Sequence, residues 1–192
     1  YITFGSFNNT AKYNSGVLEV WARILNTVPD SRLVLKWRTF NDVTLKQSVL
    51  EVFAKQSINA ERIDLRGPSF HADMLMEYAG IDIALDPFPF TGGLTSCEAL
   101  WMGVPVVTWP QNRVVSRQTF AFLSAIGLPE LAAADADDYV RIAVALANDR
   151  EQLQILHNTL RSRMKLTTLC NTIKFTRVLE DTLITLHCDI AQ

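Results

Sequence analysis

Ile81-Asp82-Ile83-Ala84-Leu85 leads into Asp86 and a proline-rich loop. Then comes Phe90-Thr91-Gly92-Gly93-Leu94-Thr95-Ser96-Cys97-Glu98-Ala99-Leu100-Trp101-Met102-Gly103-Val104-Pro105-Val106-Val107-Thr108. The stretch reads as an apolar strand, a turn of small residues, a helix ended by Gly103, and a second apolar strand over Val104–Trp109. Such a unit brings the start of a helix to the carboxyl end of a sheet, where α/β proteins bind anions. Free N–H groups there, with a dipole of roughly half a positive charge, favour phosphate. Gly92 and Gly93 admit a close backbone approach, and Thr95 and Ser96 offer hydroxyls to phosphate oxygens. Glu98, about one helical turn beyond Leu94, offers a carboxylate to ribose hydroxyls. The competing reading is local: Thr95 or Ser96 caps the helix and Glu98 complements its dipole. Neither Gly-x-x-x-x-Gly-Lys-Ser/Thr nor Gly-x-Gly-x-x-Gly occurs, which argues against a Walker loop and against a nicotinamide dehydrogenase half.

Outward from this unit, strand and helix patterns alternate. Strands are expected at Ile2–Phe7, Arg32–Trp37 and Arg62–Leu65, with a last short one at Leu131–Ala132. Helices are expected over Ser15–Val28, Asp42–Gln56, His71–Tyr78 and Ser116–Ile126, then Asp137–Ala147, Glu151–Met164 and Asn171–His187. The first carries Val17, Leu18, Trp21, Ile24, Leu25 and Val28 at helical spacing. Alternation of this kind predicts a Rossmann-like parallel sheet with helices on both faces. No repeat, low-complexity tract or long linker interrupts it, so residues 1–192 are expected to form a single domain.

Composition narrows the function classes. The 192 residues are 48% hydrophobic, with 18 basic and 20 acidic residues and a net charge of −2. That is enough chain for one substantial core. The balance and the lack of charge runs argue against nucleic acid and anionic membranes as partners. The apolar run near Ala99–Trp109 is about half a transmembrane span and contains Gly103 and Pro105. Cys97, Cys170 and Cys188 are odd in number and widely spaced, as expected of reduced thiols in a cytoplasmic protein. Tyr1 opens directly on a strand pattern without a leader, and the chain is expected to be a piece of a longer protein.

Four blocks resemble the O-linked N-acetylglucosamine transferase family (glycosyltransferase family 41) in its bacterial, SPINDLY-like branch. They are Phe4-Gly5-Ser6-Phe7-Asn8-Asn9-Thr10-Ala11-Lys12; Trp21 to Leu35 around Val28-Pro29-Asp30-Ser31-Arg32-Leu33; Asp82 to Trp109; and Ser116-Arg117 with Gly127-Leu128-Pro129-Glu130-Leu131. They occur in the family's order across nearly the whole chain. The resemblance implies the C-terminal, donor-binding lobe of a two-lobed GT-B glycosyltransferase, with tetratricopeptide repeats and the other lobe preceding it.

The resemblance also implies roles. Lys12 meets the donor diphosphate and Asn9 precedes it as an amide contact, where the family often has glutamine. A lysine in the turn after a first strand fits that role, although a lone lysine is more often a solvated surface residue. His71 starts a helix after Gly67-Pro68-Ser69-Phe70; it stacks on a base, donates to a phosphate, or is simply a polar helix-start residue. Animal members place a base-stacking histidine three positions later, at Met74 here, so base recognition is expected from His71, the Ser69 backbone or another stacking partner. In the motif, Gly93 replaces a histidine of the animal enzymes. Leu94 and Thr95 align with two threonines, and Glu98 takes the place of a ribose-binding aspartate. Gly92, Gly93, Leu94, Thr95, Ser96 and Glu98 are the expected donor contacts. Ser116 is expected to cap a helix and Arg117 to form an ion pair, with a phosphate role for Arg117 as the alternative. Arg113 lies near the same end of the sheet. Trp101 and Trp109 are expected in the core, and His157 and His187 have no metal-ligand spacing.

The implied reaction is inverting transfer of a sugar from a nucleotide donor to a Ser/Thr hydroxyl of an acceptor protein or peptide. Lys12 and the Gly92–Ser96 helix start stabilise the leaving diphosphate by fixed charge and dipoles, with no metal expected. The chain supplies no general base, so alone it is expected to bind donor without turnover. UDP-N-acetylglucosamine is the leading donor. GDP-fucose, used by a SPINDLY-type O-fucosyltransferase, and a non-catalytic nucleotide-binding module are the alternatives.

Overall fold

The computed structural model describes residues 1–190. Among them, five parallel strands form one sheet: β1 (Thr3–Ser6), β2 (Arg32–Lys36), β3 (Ile63–Arg66), β4 (Ile83–Leu85) and β5 (Val106–Val107), in the order β3-β2-β1-β4-β5. Phe4 pairs with Leu33 on one side and Ile83 on the other. The helices are α1 (Ser15–Thr27), α2 (Val43–Lys55), α3 (His71–Glu77), α4 (Leu94–Trp101), α5 (Gln118–Ala125), α6 (Ala136–Asn148), α7 (Arg150–Leu166) and α8 (Thr172–Ile190). Right-handed crossovers put the β1–β2 and β2–β3 helices on one face and the β3–β4 and β4–β5 helices on the other. Accordingly α1 packs on α2 and α6, and α4 packs on α5 and α7.

Local chemistry explains the boundaries. Asn14 accepts the Val17 amide at 3.0 Å and starts α1, whose apolar positions Val17, Leu18, Trp21, Ile24 and Leu25 are all buried. Asp42 accepts the Thr44 and Leu45 amides at 2.7 and 3.1 Å and starts α2. At the far end of the sheet, Arg62 donates to the carbonyls of Leu25, Val28 and Ser31, closing the open end of α1. Gly103 ends α4 at φ +87°, and a Cβ there would lie 2.7 Å from the His157 carbonyl oxygen. Only glycine meets both conditions without strain.

Three expected elements differ from what forms. The strand over Val104–Trp109 shrinks to Val106–Val107, whose ladder with β4 holds two pairs, Ala84 with Val106 and Leu85 with Val107. Leu131–Ala132 is a 3-10 turn, Pro129–Leu131, followed by a single parallel bridge from Ala132 to Thr108. The helix expected from Ser116 begins at Gln118, after a 3-10 turn over Val114–Ser116.

The strand order reverses between β1 and β4. The chain winds outward through β2 and β3, then returns to the other side of β1. The two loops leaving β1 and β4 therefore flank a crevice at the carboxyl ends of adjacent strands, the usual ligand position in open α/β sheets.

Candidate functional site

Lys12 and Thr95 come from opposite sides of this crevice and meet at Asn8. Lys12 lies in a 3-10 turn after β1. Its Nζ donates to Asn8 Oδ1 at 3.1 Å and to the Thr91 carbonyl at 2.9 Å. An ammonium carries three N–H donors, so one is left without an oxygen partner. The Phe90 ring lies 4.7 Å from it. Burial lowers the Lys12 pKa, and the charge of Asp86 opposes that shift. Thr95 Oγ1 also donates to Asn8 Oδ1, at 3.0 Å. Its single proton is thus already committed, so phosphate donation by Thr95 would require breaking that bond.

Asp86 anchors the loop after β4. Its Oδ1 accepts the Gly92 amide at 2.6 Å and its Oδ2 the Thr108 hydroxyl at 2.7 Å, while its carbonyl accepts the Tyr139 hydroxyl at 2.9 Å. Burial raises the Asp86 pKa to about 6, against the opposing hydrogen bonds of Thr108, Thr119 and Gly92 and the charge of Lys12. A Cβ on Gly92 would collide with Ser96 Oγ and come within 3.0 Å of Asp86 Oδ1 and Thr95 Oγ1. Ser96 is buried and its hydroxyl pairs with Thr119 Oγ1 at 2.8 Å. Thr119 in turn donates to the Gly92 carbonyl at 3.1 Å. Ser96 therefore braces the loop from below, and its hydroxyl does not face the crevice mouth.

Gly93 is the N-cap of α4 and offers no side-chain cap. Among the described residues, the amides of Gly93, Leu94 and Thr95 have no protein acceptor. The Leu94 side chain is 73% exposed. Tyr78 donates to the Thr95 carbonyl at 3.2 Å and fixes the first turn. The local alternative, a helix capped by Thr95 or Ser96, does not form. Both hydroxyls have other partners and the amides stay open.

One turn further on, Glu98 Oε1 lies 2.7 Å from His71 Nε2. The Glu98 side chain is 10% exposed and that of His71 is 68% exposed. The pair links the start of α3 to the second turn of α4 beside a cavity of about 310 Å³, lined by Phe7, Trp37, Arg38, Ser69, His71 and Met74 among others. The cavity opens at the carboxyl ends of β2 and β3. Beneath it, Lys36 Nζ pairs with Glu77 at 2.7 Å, and Arg66 pairs with the same carboxylate at 3.0 Å. Ser69 Oγ donates to Glu77 at 3.2 Å, and Ser69 lines the same cavity.

The remaining residues fall into place around this frame. Asn9 Oδ1 accepts the Ala11 amide at 3.0 Å and caps its own turn; the inward amide is its neighbour Asn8. Ser116 does not cap α5. Its hydroxyl accepts the Gln111 and Arg113 amides and donates to the Arg113 carbonyl at 2.6 Å, closing the loop before the helix. Arg117 stands over the Phe120 ring at 5.3 Å and has no ion pair among the described residues. Trp101 and Trp109 are half-buried and pack against the core from its edge; the cations of Arg161 and Lys165 lie 5.2 and 5.6 Å from the Trp101 ring, and Trp109 lies against Phe88. One Asp-x-Asp triplet, of the kind that holds a metal in some glycosyltransferases, occurs at Asp135-Ala136-Asp137. Asp135 caps α6 through the Asp138 amide and Asp137 pairs with Arg23. Among the described residues no group of His, Cys, Asp and Glu is gathered for a metal ion, and no helix is long and apolar enough to cross a membrane. The three cysteines are free, Cys97 half-buried and the other two exposed.

Sequence reasoning missed Asn8, Asp86, Thr91 and Thr119. A polar residue directly after a fully apolar strand, as Asp86 is after β4, was the available signal.

A family model described as glycosyl transferase family 41 matches residues 1–179. The chain is 40% identical over 181 residues to a probable UDP-N-acetylglucosamine–peptide N-acetylglucosaminyltransferase SPINDLY of Solanum lycopersicum, covering 94% of this chain and 19% of that protein. The protein of the same description from Arabidopsis thaliana is also 40% identical over 181 residues, covering 94% of this chain and 20% of its own. A solved O-GlcNAc transferase mutant of Thermobaculum terrenum superposes with a TM-score of 0.91 at 34% identity, over 95% of this chain and 35% of that one. Anabaena HepE, solved with UDP and glucose, shares the fold alone, with a TM-score of 0.66 at 12% identity over 96% of this chain and 48% of that one. The chain thus spans 19% to 20% of the length of these curated relatives. Its fold is the Rossmann-like lobe of GT-B glycosyltransferases, and by the extent of these matches the chain belongs to glycosyl transferase family 41.

Proposed function

We propose that this chain is the donor-binding half of an inverting protein O-glycosyltransferase. It holds UDP-N-acetylglucosamine for transfer of the sugar to Ser/Thr hydroxyls of an acceptor protein in the cytoplasm. The observation that carries the reading is the convergence of the one unpartnered Lys12 N–H and the open amides of Gly93, Leu94 and Thr95 on the β1–β4 crevice. The names of the SPINDLY relatives support the donor class.

The diphosphate sits between Lys12 and the start of α4. A point charge and preorganised backbone dipoles together stabilise the negative charge that develops as the sugar leaves. Lys12 is the residue of this chain closest to the chemistry. No metal is required by this arrangement, and donor binding is expected to persist in a chelator. Glu98 accepts from the ribose hydroxyls, steadied by His71, and the base enters the cavity beside Trp37 and Met74. The other lobe, in cis, contributes the acceptor side and the general base, so the isolated chain binds donor without turnover.

GDP-fucose is the competing donor. Met74, a flexible thioether, lines the cavity where a flat stacking ring stands in the animal enzymes, and such a wall adapts to a purine. Calorimetric titration with UDP-N-acetylglucosamine and GDP-fucose, with Lys12→Ala as control, separates the readings. UDP-sugar binding that is lost in the variant supports the first. Preference for the guanine donor moves the assignment to fucose. No binding of either by the folded chain removes donor binding as its function.

A further inference from the structure

We infer that Asn8 is the positioning residue of the diphosphate site, holding the Lys12 ammonium and the Thr95 hydroxyl at one side-chain oxygen. This rests on the reading that Lys12 meets the donor diphosphate.

Asn8 stands two residues beyond β1 and is 5% exposed. Every polar group of its side chain is engaged. Oδ1 receives Lys12 Nζ at 3.1 Å and Thr95 Oγ1 at 3.0 Å, and Nδ2 donates to Ser6 Oγ at 3.4 Å. Its backbone amide donates to the Tyr13 hydroxyl at 3.3 Å, and that hydroxyl donates to the Ser6 carbonyl at 3.0 Å. The orientation of the amide is therefore fixed: two donors converge on its oxygen, and its nitrogen faces a hydroxyl.

Two consequences follow for ligand binding. A lysine stem is flexible, and ordering it only on binding weakens affinity. Asn8 and the Thr91 carbonyl order it beforehand. The shared oxygen also ties the first loop to the first turn of α4 across the crevice, so the Lys12 charge and the open amides keep a fixed separation. Asn8 is given no contact of its own with the nucleotide; it acts through Lys12 and Thr95.

The test is a double-mutant cycle on the whole chain with Asn8→Ala and Lys12→Ala. It is read as affinity for UDP or GDP, whichever the wild type binds more tightly, and for the corresponding nucleoside. Asn8→Ala is expected to weaken diphosphate binding roughly threefold to tenfold and leave nucleoside binding within about twofold. In the Lys12→Ala background the same change should have a clearly smaller effect on the diphosphate, the remainder passing through Thr95. Equal losses for diphosphate and nucleoside, or effects that simply multiply with those of Lys12→Ala, would overturn the inference. If the alanine variant does not fold, Asn8→Ser, which keeps a hydroxyl beside Ser6, is read by the same criteria. A wild type that binds neither nucleotide, or a Lys12→Ala change without effect, instead overturns the donor-site reading on which the inference stands.

Discussion

The carboxylate of Asp86 accepts the amide of Gly92 at 2.6 Å, from a position where it is fully enclosed by protein. A buried charge thus holds the turn that opens the ligand crevice. The same contact sets function against stability at one residue.

Burial raises Asp86 to about 6 from its ordinary 3.8. Between those values the folded chain binds the extra proton. This carboxylate therefore makes stability fall as pH rises from about 4 to about 6, and leaves a constant penalty of roughly 3 kcal/mol above that window. Asp86→Asn removes the penalty and keeps an acceptor for Gly92. Its melting temperature at pH 8 is expected to equal or exceed that of the wild type, with a flatter profile between pH 4 and 6. A markedly lower melting temperature at pH 8 would mean that the Gly92 and Thr108 bonds outweigh the cost of burial.

Glu77 has the opposite sign. Burial pulls its pKa upward, but Lys36, Arg66 and Ser69 outweigh that and hold it below its ordinary value. Its contribution is present above the unfolded pKa and is lost as pH falls through the lower folded one. Lys36 is 7% exposed and Glu77 is its ion-pair partner. Glu77→Ala is expected to cost about 3 kcal/mol in denaturant unfolding at pH 7, because it strands a buried cation. A loss under about 1 kcal/mol would class the pair with surface ion pairs.

Two glycines make contrasting predictions. Gly92→Ala drives a methyl group into Ser96 and toward Asp86 and Thr95, all around the crevice loop. Gly103→Ala strains a φ of +87° and presses on the His157 carbonyl, away from the crevice. Nucleotide binding should be impaired by Gly92→Ala at least tenfold, whereas Gly103→Ala should lower stability by about 1–3 kcal/mol with affinity retained in the folded fraction. Thermal unfolding and nucleotide titration of both variants check the pair. The reverse pattern would relocate the ligand site.

Glu98 is assigned to the ribose. Glu98→Gln is expected to weaken binding of UDP about tenfold while changing 2′-deoxy-UDP little, since a hydrogen bond to a charged acceptor is lost only where the hydroxyl exists. Competition between the two nucleotides measures it. Unchanged discrimination would limit Glu98 to its contact with His71.

Much of this was legible in the chain. Apolar runs at Ile81–Leu85 and around Leu33–Leu35 marked central strands, and the stripe of Val17, Trp21 and Ile24 marked a core helix. The small-residue helix start at Gly92–Glu98 was read from the chemistry expected at strand ends, whereas the roles given to Lys12 and Asn9 came from the family resemblance. The misses have physical causes. Asn8 and Asn9 are chemically identical neighbours, and only the turn beginning at Thr10 decides which faces inward. Ser96 and Thr119 pair across 23 positions, a contact that no local pattern encodes. Arg117 pairs with a ring rather than a carboxylate, and periodicity is silent on which neighbour a long side chain reaches.

The Tyr139 hydroxyl donates to the Asp86 carbonyl and lies 3.3 Å from Trp21 Nε1. One oxygen in α6 therefore joins the first helix to the root of the crevice loop. A chain truncated before α6 would lose both contacts and uncover the face of α1 and the end of β4 that α6 packs against, although every strand and every crevice residue would still be present. The crevice thus leans on a helix well beyond the last residue proposed to meet the donor.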